Sequence, residues 1–222
     1  LAYAAGRQTS VLILSDHGSG WPGGWYDQTA PGDWITPSEL EAALKYVRDS
    51  TSLEQFELIG FDACLMSSLE IYTAMAPYTR YGVASEEVEP SLGWAYAGFL
   101  SDLVNNPGMS GADLAESIVH HYIEGDIVAQ VADSEYIENR KVFSTLSAVD
   151  LAAIPDLLAA LDEMAIAASE IDQSTVALAR FYTQSYYNTF GKDVPASFLD
   201  LGHLAQMLAI EGGSADVTQA SR

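Results

Sequence analysis

The sequence predicts an α/β fold, a mostly parallel sheet flanked by helices, with a helix-rich C-terminal part. Three observations carry this. Two short apolar runs, one over Val11–Leu14 and one holding Leu58, Ile59 and Phe61, each end abruptly in polar or small residues. Runs of this length with β-branched members suit strands covered on both faces. Between them lies a helical pattern: Thr36 or Ser38 as N-cap, Pro37, Glu39 and Glu41 in the first turn, then Leu40, Leu44 and Val47. Finally, 222 residues at 49% hydrophobic and 18% charged suffice for one full core with an appendage. A strand, a helix and a second strand in that order make a β–α–β unit.

The remaining elements follow in order. Residues 18–36, rich in Gly, Trp, Pro and Asp, read as a loop long enough to have a function. After Cys64 the pattern turns helical through Leu65, Leu69, Tyr72 and Met75, and a helix over Leu65–Tyr78 is expected to stop at Pro77. Tyr81–Ala84 is a third strand, with Ser85, Glu86 and Glu87 at its end. Pro90 and Gly93 break the chain, and Asn105–Gly108 is a turn. A helix with Asp113, Leu114, Ile118 and Tyr122 follows. Its His120 and His121 diverge by about 100° and cannot chelate one metal together. Val131–Lys141 is polar, a loop or ragged helix, and Val142–Val149 alternates as a strand. Asp150 begins a helical turn, and a longer helix starts near Pro155. A further helix spans Thr175–Tyr187, with Phe181, Tyr182, Tyr186 and Tyr187 as packing residues. The last helix is Leu199–Ile210, closed by Gly212 and Gly213, with a frayed tail over Ser214–Arg222.

Composition excludes several classes. A net charge of −22 argues against binding a phosphate backbone. It attracts basic ligands, although solubility or a salty habitat is the plainer account. No apolar run approaches the roughly 20 residues of a membrane span. One cysteine makes no internal disulfide, and one Cys with scattered His residues offers no zinc spacing. Residues 1–6 lack a basic start and a long apolar core, so a signal peptide is absent or already removed.

The chemistry concentrates at two strand ends. Cys64, the only cysteine, sits where the second strand hands over to a helix, and a helix N-terminus favours thiolate. Taken alone it reads equally well as a buried structural thiol. His17 follows the first strand at once, in Ser15-Asp16-His17-Gly18. The two are 64 − 17 = 47 residues apart. A parallel β–α–β unit brings both to one sheet edge, where α/β proteins bind ligands. Asp62 lies two residues before Cys64, a spacing that puts both side chains on one side of an extended chain. Asp62 reads also as a helix cap, and Asp16 either orients His17 or caps the loop.

Two blocks carry a resemblance. Ser15-Asp16-His17-Gly18-Ser19-Gly20-Trp21 and Phe61-Asp62-Ala63-Cys64-Leu65-Met66 resemble the catalytic blocks of clostripain-like cysteine peptidases, of the caspase–gingipain–legumain group. Ser85–Trp94 resembles the block after them; the helices ending in Phe198–Ala205 resemble the family only loosely. The resemblance implies a caspase-like core over residues 1–150 with a helical part over 151–222 packed on it. It implies Cys64 as nucleophile, His17 as general acid/base, and the Gly18 and Cys64 N–H groups as an oxyanion hole, with no third triad member. It places Asp62 at the base of a pocket for Arg or Lys, with Glu86, Glu87 and Glu89 as rim candidates. The implied partners are proteins or peptides with a basic residue before the cut bond, and the implied location is secreted or cell-envelope.

The core needs no cofactor or metal, although calcium dependence occurs among relatives and acidic loops would supply oxygen ligands. Family members carry further strands and helices before the His block. Leu1–Ala5 looks like the tail of such a helix, so an N-terminal segment or chain is expected beyond this sequence. With no Lys or Arg between Arg7 and Lys45, self-cleavage in loop 18–36 by an Arg/Lys-specific enzyme is not expected. The alternative function is a non-catalytic caspase-like module that binds a partner or polysaccharide through Trp21, Trp25 and Trp34. A dinucleotide-binding domain is set aside.

Overall fold

The computed structural model describes residues 9–30, 32–90, 93–124, 144–187 and 196–212. The expectations for Leu1–Ala5, Val131–Lys141 and the tail Ser214–Arg222 lie outside the described residues. Two compact units divide the chain, the first through Ala152 and the second from Ala153.

The first unit is a four-stranded mixed sheet, in the order β1 (Val11–Ser15), β2 (Phe56–Asp62), β3 (Thr79–Ala84), β4 (Ser147–Asp150). β1 and β2 pair in parallel with Ser15 opposite Asp62, and β2 and β3 pair in parallel with Gly60 opposite Val83. β4 closes the sheet antiparallel to β3. The first two connections contain α1 (Pro37–Ser50) and α2 (Leu69–Met75). Thr36 is the N-cap of α1: its hydroxyl accepts from Glu39 N–H, and the Glu39 carboxylate accepts from Thr36 N–H at 2.9 Å. That reciprocal box settles the choice between Thr36 and Ser38.

Side-chain alternation in β2 sorts the layers. Leu58 and the face over Gly60 meet Trp94, Phe99 and Leu114, with Ile118 behind them. These come from α3 (Tyr96–Asn105), α4 (Gly111–Glu124) and the stretch before α3. A Cβ on Gly60 would lie 2.7 Å from the Trp94 ring, so the indole needs glycine to reach the sheet. On the other face Tyr72 of α2 lies over Gly82 in the same way, and Trp25 packs on Phe61 at 5.4 Å between centroids.

Several boundaries differ from the sequence-based expectation. α2 begins at Leu69, not Leu65, because Leu65 takes a left-handed φ of 63° and Ser68 is the N-cap. Trp94, Tyr96 and Phe99 lead into a helix that was not predicted, because Pro90 and Gly93 dominate the local pattern. The strand expected over Val142–Val149 forms only as Ser147–Asp150; residues 144–146 are irregular and 142–143 lie outside the described residues. Asp150 does begin a turn: its Oδ1 accepts from Ala152 N–H at 3.0 Å, and a 3-10 turn spans Leu151–Ala153. His121 is satisfied by Asp102 at 2.8 Å, as expected of a structural residue.

The second unit holds α5 (Ile154–Ser169), α6 (Gln173–Tyr182) and α7 (Leu201–Glu211) around Met164, Ala179 and Leu208. α6 stops short of the expected Tyr187, because Ser185 leaves the helix to bridge Leu199. Of the aromatic set expected to pack, Phe181 (78%), Tyr182 (56%) and Tyr187 (55%) are exposed, although the Phe181 and Tyr182 rings meet edge-on at 5.3 Å; Tyr186 is half-buried and donates to Asp200 at 2.9 Å. Asp200 caps α7 by accepting from His203 N–H. Among the described residues no helix is long and apolar enough to cross a membrane.

Candidate active site

Parallel pairing of β1 and β2 delivers two chain segments to the same sheet edge. Asp16 N–H still donates to the Asp62 carbonyl at 3.3 Å, and then both segments leave the sheet side by side. A Cβ on Gly18 would lie 2.3 Å from the Cys64 carbonyl oxygen and 3.1 Å from the Cys64 nitrogen. The backbone after His17 therefore lies on the backbone of Cys64, and only glycine permits the contact.

The loop after His17 is folded, not loose. Gly18 bridges Gly24, Gly24 bridges Ile35, and Trp25 N–H donates to the His17 carbonyl at 2.8 Å. His17 N–H donates to the Asp16 carboxylate at 2.6 Å, so Asp16 fixes the backbone at His17. His17 itself is exposed. Gly18-Ser19-Gly20-Trp21-Pro22-Gly23 spells the spacing of a dinucleotide fingerprint. That fingerprint must open a helix directly, and here the first helix begins only at Pro37, so the dinucleotide reading fails on structure. Of the three loop tryptophans, Trp21 (48%) and Trp34 (45%) are exposed, whereas Trp25 is half-buried with its indole nitrogen enclosed.

Cys64 is half-buried. Its sulfur accepts from Glu89 N–H at 3.3 Å, and the Cys64 and Gly18 amides also favour the thiolate. Burial outweighs these three amides and pushes the thiol up from its ordinary value. The expected helix-dipole assistance is absent: α2 begins five residues beyond Cys64 and is only seven residues long. Instead the loop after Cys64 is clipped to the segment after β3. Leu65 N–H donates to Glu87 C=O at 3.1 Å and Ser67 N–H to Ser85 C=O at 2.9 Å. Left-handed backbone at a leucine costs about 1–2 kcal/mol, and this clip holds it.

Asp62 and Cys64 both face the segment that runs from β3 to α3. Asp62 is 6% exposed; its Oδ2 accepts from Tyr96 OH at 2.9 Å and from the exposed Ser15 hydroxyl at 3.3 Å. It caps no helix. Gly93, at φ 68°, leaves room for it, since a Cβ there would lie 2.9 Å from Oδ2. Glu89, 9% exposed, is the rim candidate that meets Asp62. Burial first, and the Asp62 charge second, push the Glu89 carboxyl up to about 9, so it is protonated at neutral pH. Glu86 turns elsewhere, accepting from Ser67 Oγ at 3.2 Å, and the Glu87 carboxylate accepts from Val88 N–H at 3.1 Å.

Sequence reasoning missed Ser15 and Tyr96 as partners of Asp62, because Tyr96 lies 34 residues away and no local pattern links them. It also missed the hydroxyl cluster behind the site. Ser67 Oγ lies 3.1 Å from Tyr72 OH and 2.9 Å from Ser147 Oγ, and Thr145 Oγ1 accepts from Glu86 and Glu87 N–H at 3.1 Å. Burial raises the Tyr72 phenol to about 12, so it stays a donor. Among the described residues no three His, Cys, Asp or Glu side chains are grouped to hold a metal.

A thiol and an imidazole thus follow neighbouring parallel strands of a mixed α/β sheet, beside a buried acid. The clostripain family model (peptidase C11) matches residues 2–215, and the chain belongs to that family. A secreted C11 cysteine protease from Bacteroides thetaiotaomicron, solved with an irreversible peptide inhibitor, is 21% identical with a TM-score of 0.60. The match covers 96% of this chain and 54% of that one. An inactive zymogen C11 protease from Parabacteroides distasonis is 18% identical with a TM-score of 0.58, over 96% and 52% of the two chains. A B. fragilis cysteine protease is 17% identical with a TM-score of 0.51, over 88% and 72%. The chain thus spans about half the length of the first two solved structures. Among curated proteins none matches.

Proposed function

We propose that this chain carries the reacting groups of a secreted cysteine endopeptidase that cuts after Arg, less readily Lys. Cys64 attacks the scissile carbonyl to form a thioester, and His17 takes the thiol proton and returns it to the leaving amine. The Gly18 and Cys64 N–H groups receive the developing oxyanion. Asp62 receives the basic side chain. The observation that supports the reading is the contact of the Gly18 backbone with that of Cys64, which joins the segment after His17 to the thiol's own loop. Family membership supports the chemistry, and the description of one relative as secreted supports export.

Hydrolysis of an arginyl-amide fluorogenic peptide tests it. Cys64→Ala should lower turnover by at least ~10³-fold, and Asp62→Asn should erase the preference for Arg over a neutral isostere. Unchanged turnover removes Cys64 from the mechanism; retained preference moves the acid elsewhere. A second reading, a non-catalytic binding module, is favoured by the raised thiol. In that case wild type and Cys64→Ala are equally inert.

A further inference from the structure

Asp62 and Glu89 form a buried acid pair with no cation beside it among the described residues. Both side chains are at least nine-tenths buried. Trp94 Nε1 donates to Glu89 Oε1 at 3.3 Å, yet Oε2 is enclosed with no donor in hydrogen-bonding geometry among the described residues. The acid beside Glu89 is Asp62, itself an acceptor of Tyr96 OH and Ser15 OH. The other groups against the pair are the Ala63 amide and the Cys64 sulfur beside Glu89 N–H, and neither is a cation. Every described Lys and Arg is engaged elsewhere: Lys45 with Asp49, Arg48 over Tyr78, Arg80 with Asp150, Arg180 with Ala196 C=O. Two buried carboxylates with no cation beside them disfavour ionising together.

We propose that Glu89 is the exchangeable half of the specificity site: it holds a proton beside Asp62 in the free chain and releases it to solvent when a cationic side chain enters. The proposal rests on Asp62 as the acid that receives the basic residue. Charge then balances on both sides of the exchange. Before binding, one proton neutralises one of the two carboxyls; after binding, the guanidinium or ammonium does so and the proton passes to the buffer. Ser15, whose hydroxyl donates to Asp62, is an exposed residue. The protonated state of free Glu89 at neutral pH supplies the proton. Arginine affinity is therefore tied to pH through Glu89 and not through the thiol.

The test is isothermal titration of the Cys64→Ala chain with an arginine-containing peptide and its citrulline counterpart, in two buffers of different ionisation enthalpy. At about pH 7, roughly one proton should leave per arginine peptide and none per citrulline peptide. Arginine affinity should rise roughly tenfold per pH unit below the point where Glu89 ionises. Adding Glu89→Gln should abolish the release and flatten that slope. Arginine-selective binding with no proton released in the Glu89-containing chain overturns the exchange alone. An arginine peptide that binds no better than citrulline overturns the acidic pocket itself, and the exchange with it. The proton count needs no Glu89 variant, so a poorly folded Glu89→Gln chain does not shield the proposal.

Discussion

Glu89 makes a residue-scale prediction separate from ligand binding. Its carboxyl is held protonated up to about 9 in the folded chain, against 4.5 for an unperturbed glutamate. Between those values the folded state binds one proton more than the unfolded state. Stability attributable to this group is therefore complete below the lower value and declines as pH rises toward the upper one. A melting series across this window should show wild type losing stability relative to Glu89→Gln as pH rises. Parallel curves would mean that Glu89 is already ionised in the fold. Asp62 and Cys64 were legible in the sequence because two-residue spacing and strand-end position are local signals. Glu89 was legible only as one acid among three, since nothing in Glu86-Glu87-Val88-Glu89 says which carboxyl turns back to β2.

At the scale of elements, the site depends on two loops lying in backbone contact. Gly18→Ala inserts a methyl 2.3 Å from the Cys64 carbonyl, with backbone on both sides of the clash. The loops must part, and the variant should lose at least ~10²-fold in kcat/KM and about 1–3 kcal/mol of stability. Gly108→Ala is the control, because its Cβ meets only Asn106 Oδ1 at 3.8 Å. Full activity in Gly18→Ala would show that the contact does not position the reacting groups. The β1–α1–β2 unit was readable because apolar runs, a proline and a capping threonine agree with one another. The start of α2 was misread because Leu65 fits the helical period but is diverted by hydrogen bonds to the segment after β3. The better signal was Ser67-Ser68 before Leu69-Glu70, a run of capping residues. The helix Tyr96–Asn105 was hidden by breakers just upstream, although Trp94 and Phe99 are among the most buried residues.

For the whole molecule, a net charge of −22 gives a field that draws cationic peptides. On the proposed reading, kcat/KM for an arginyl substrate should fall several-fold as salt shortens the Debye length from about 30 Å to about 8 Å. A substrate with an added acidic tail should fall less or rise. Identical salt profiles would assign the charge to solubility alone. The class of fold was predictable because a parallel β–α–β unit has few alternative topologies. The exposure of Phe181 and Tyr182 was not, because helical periodicity marks a face without saying what covers it.

The most direct measurement is the rate at which a peptidyl-arginine chloromethylketone alkylates the chain, followed by mass mapping. The account predicts a single adduct on Cys64, slowed at least ~10²-fold in His17→Ala and nearly abolished in Asp62→Asn. An adduct elsewhere, or one on Cys64 whose rate is indifferent to His17, would contradict the pairing of this thiol with this imidazole.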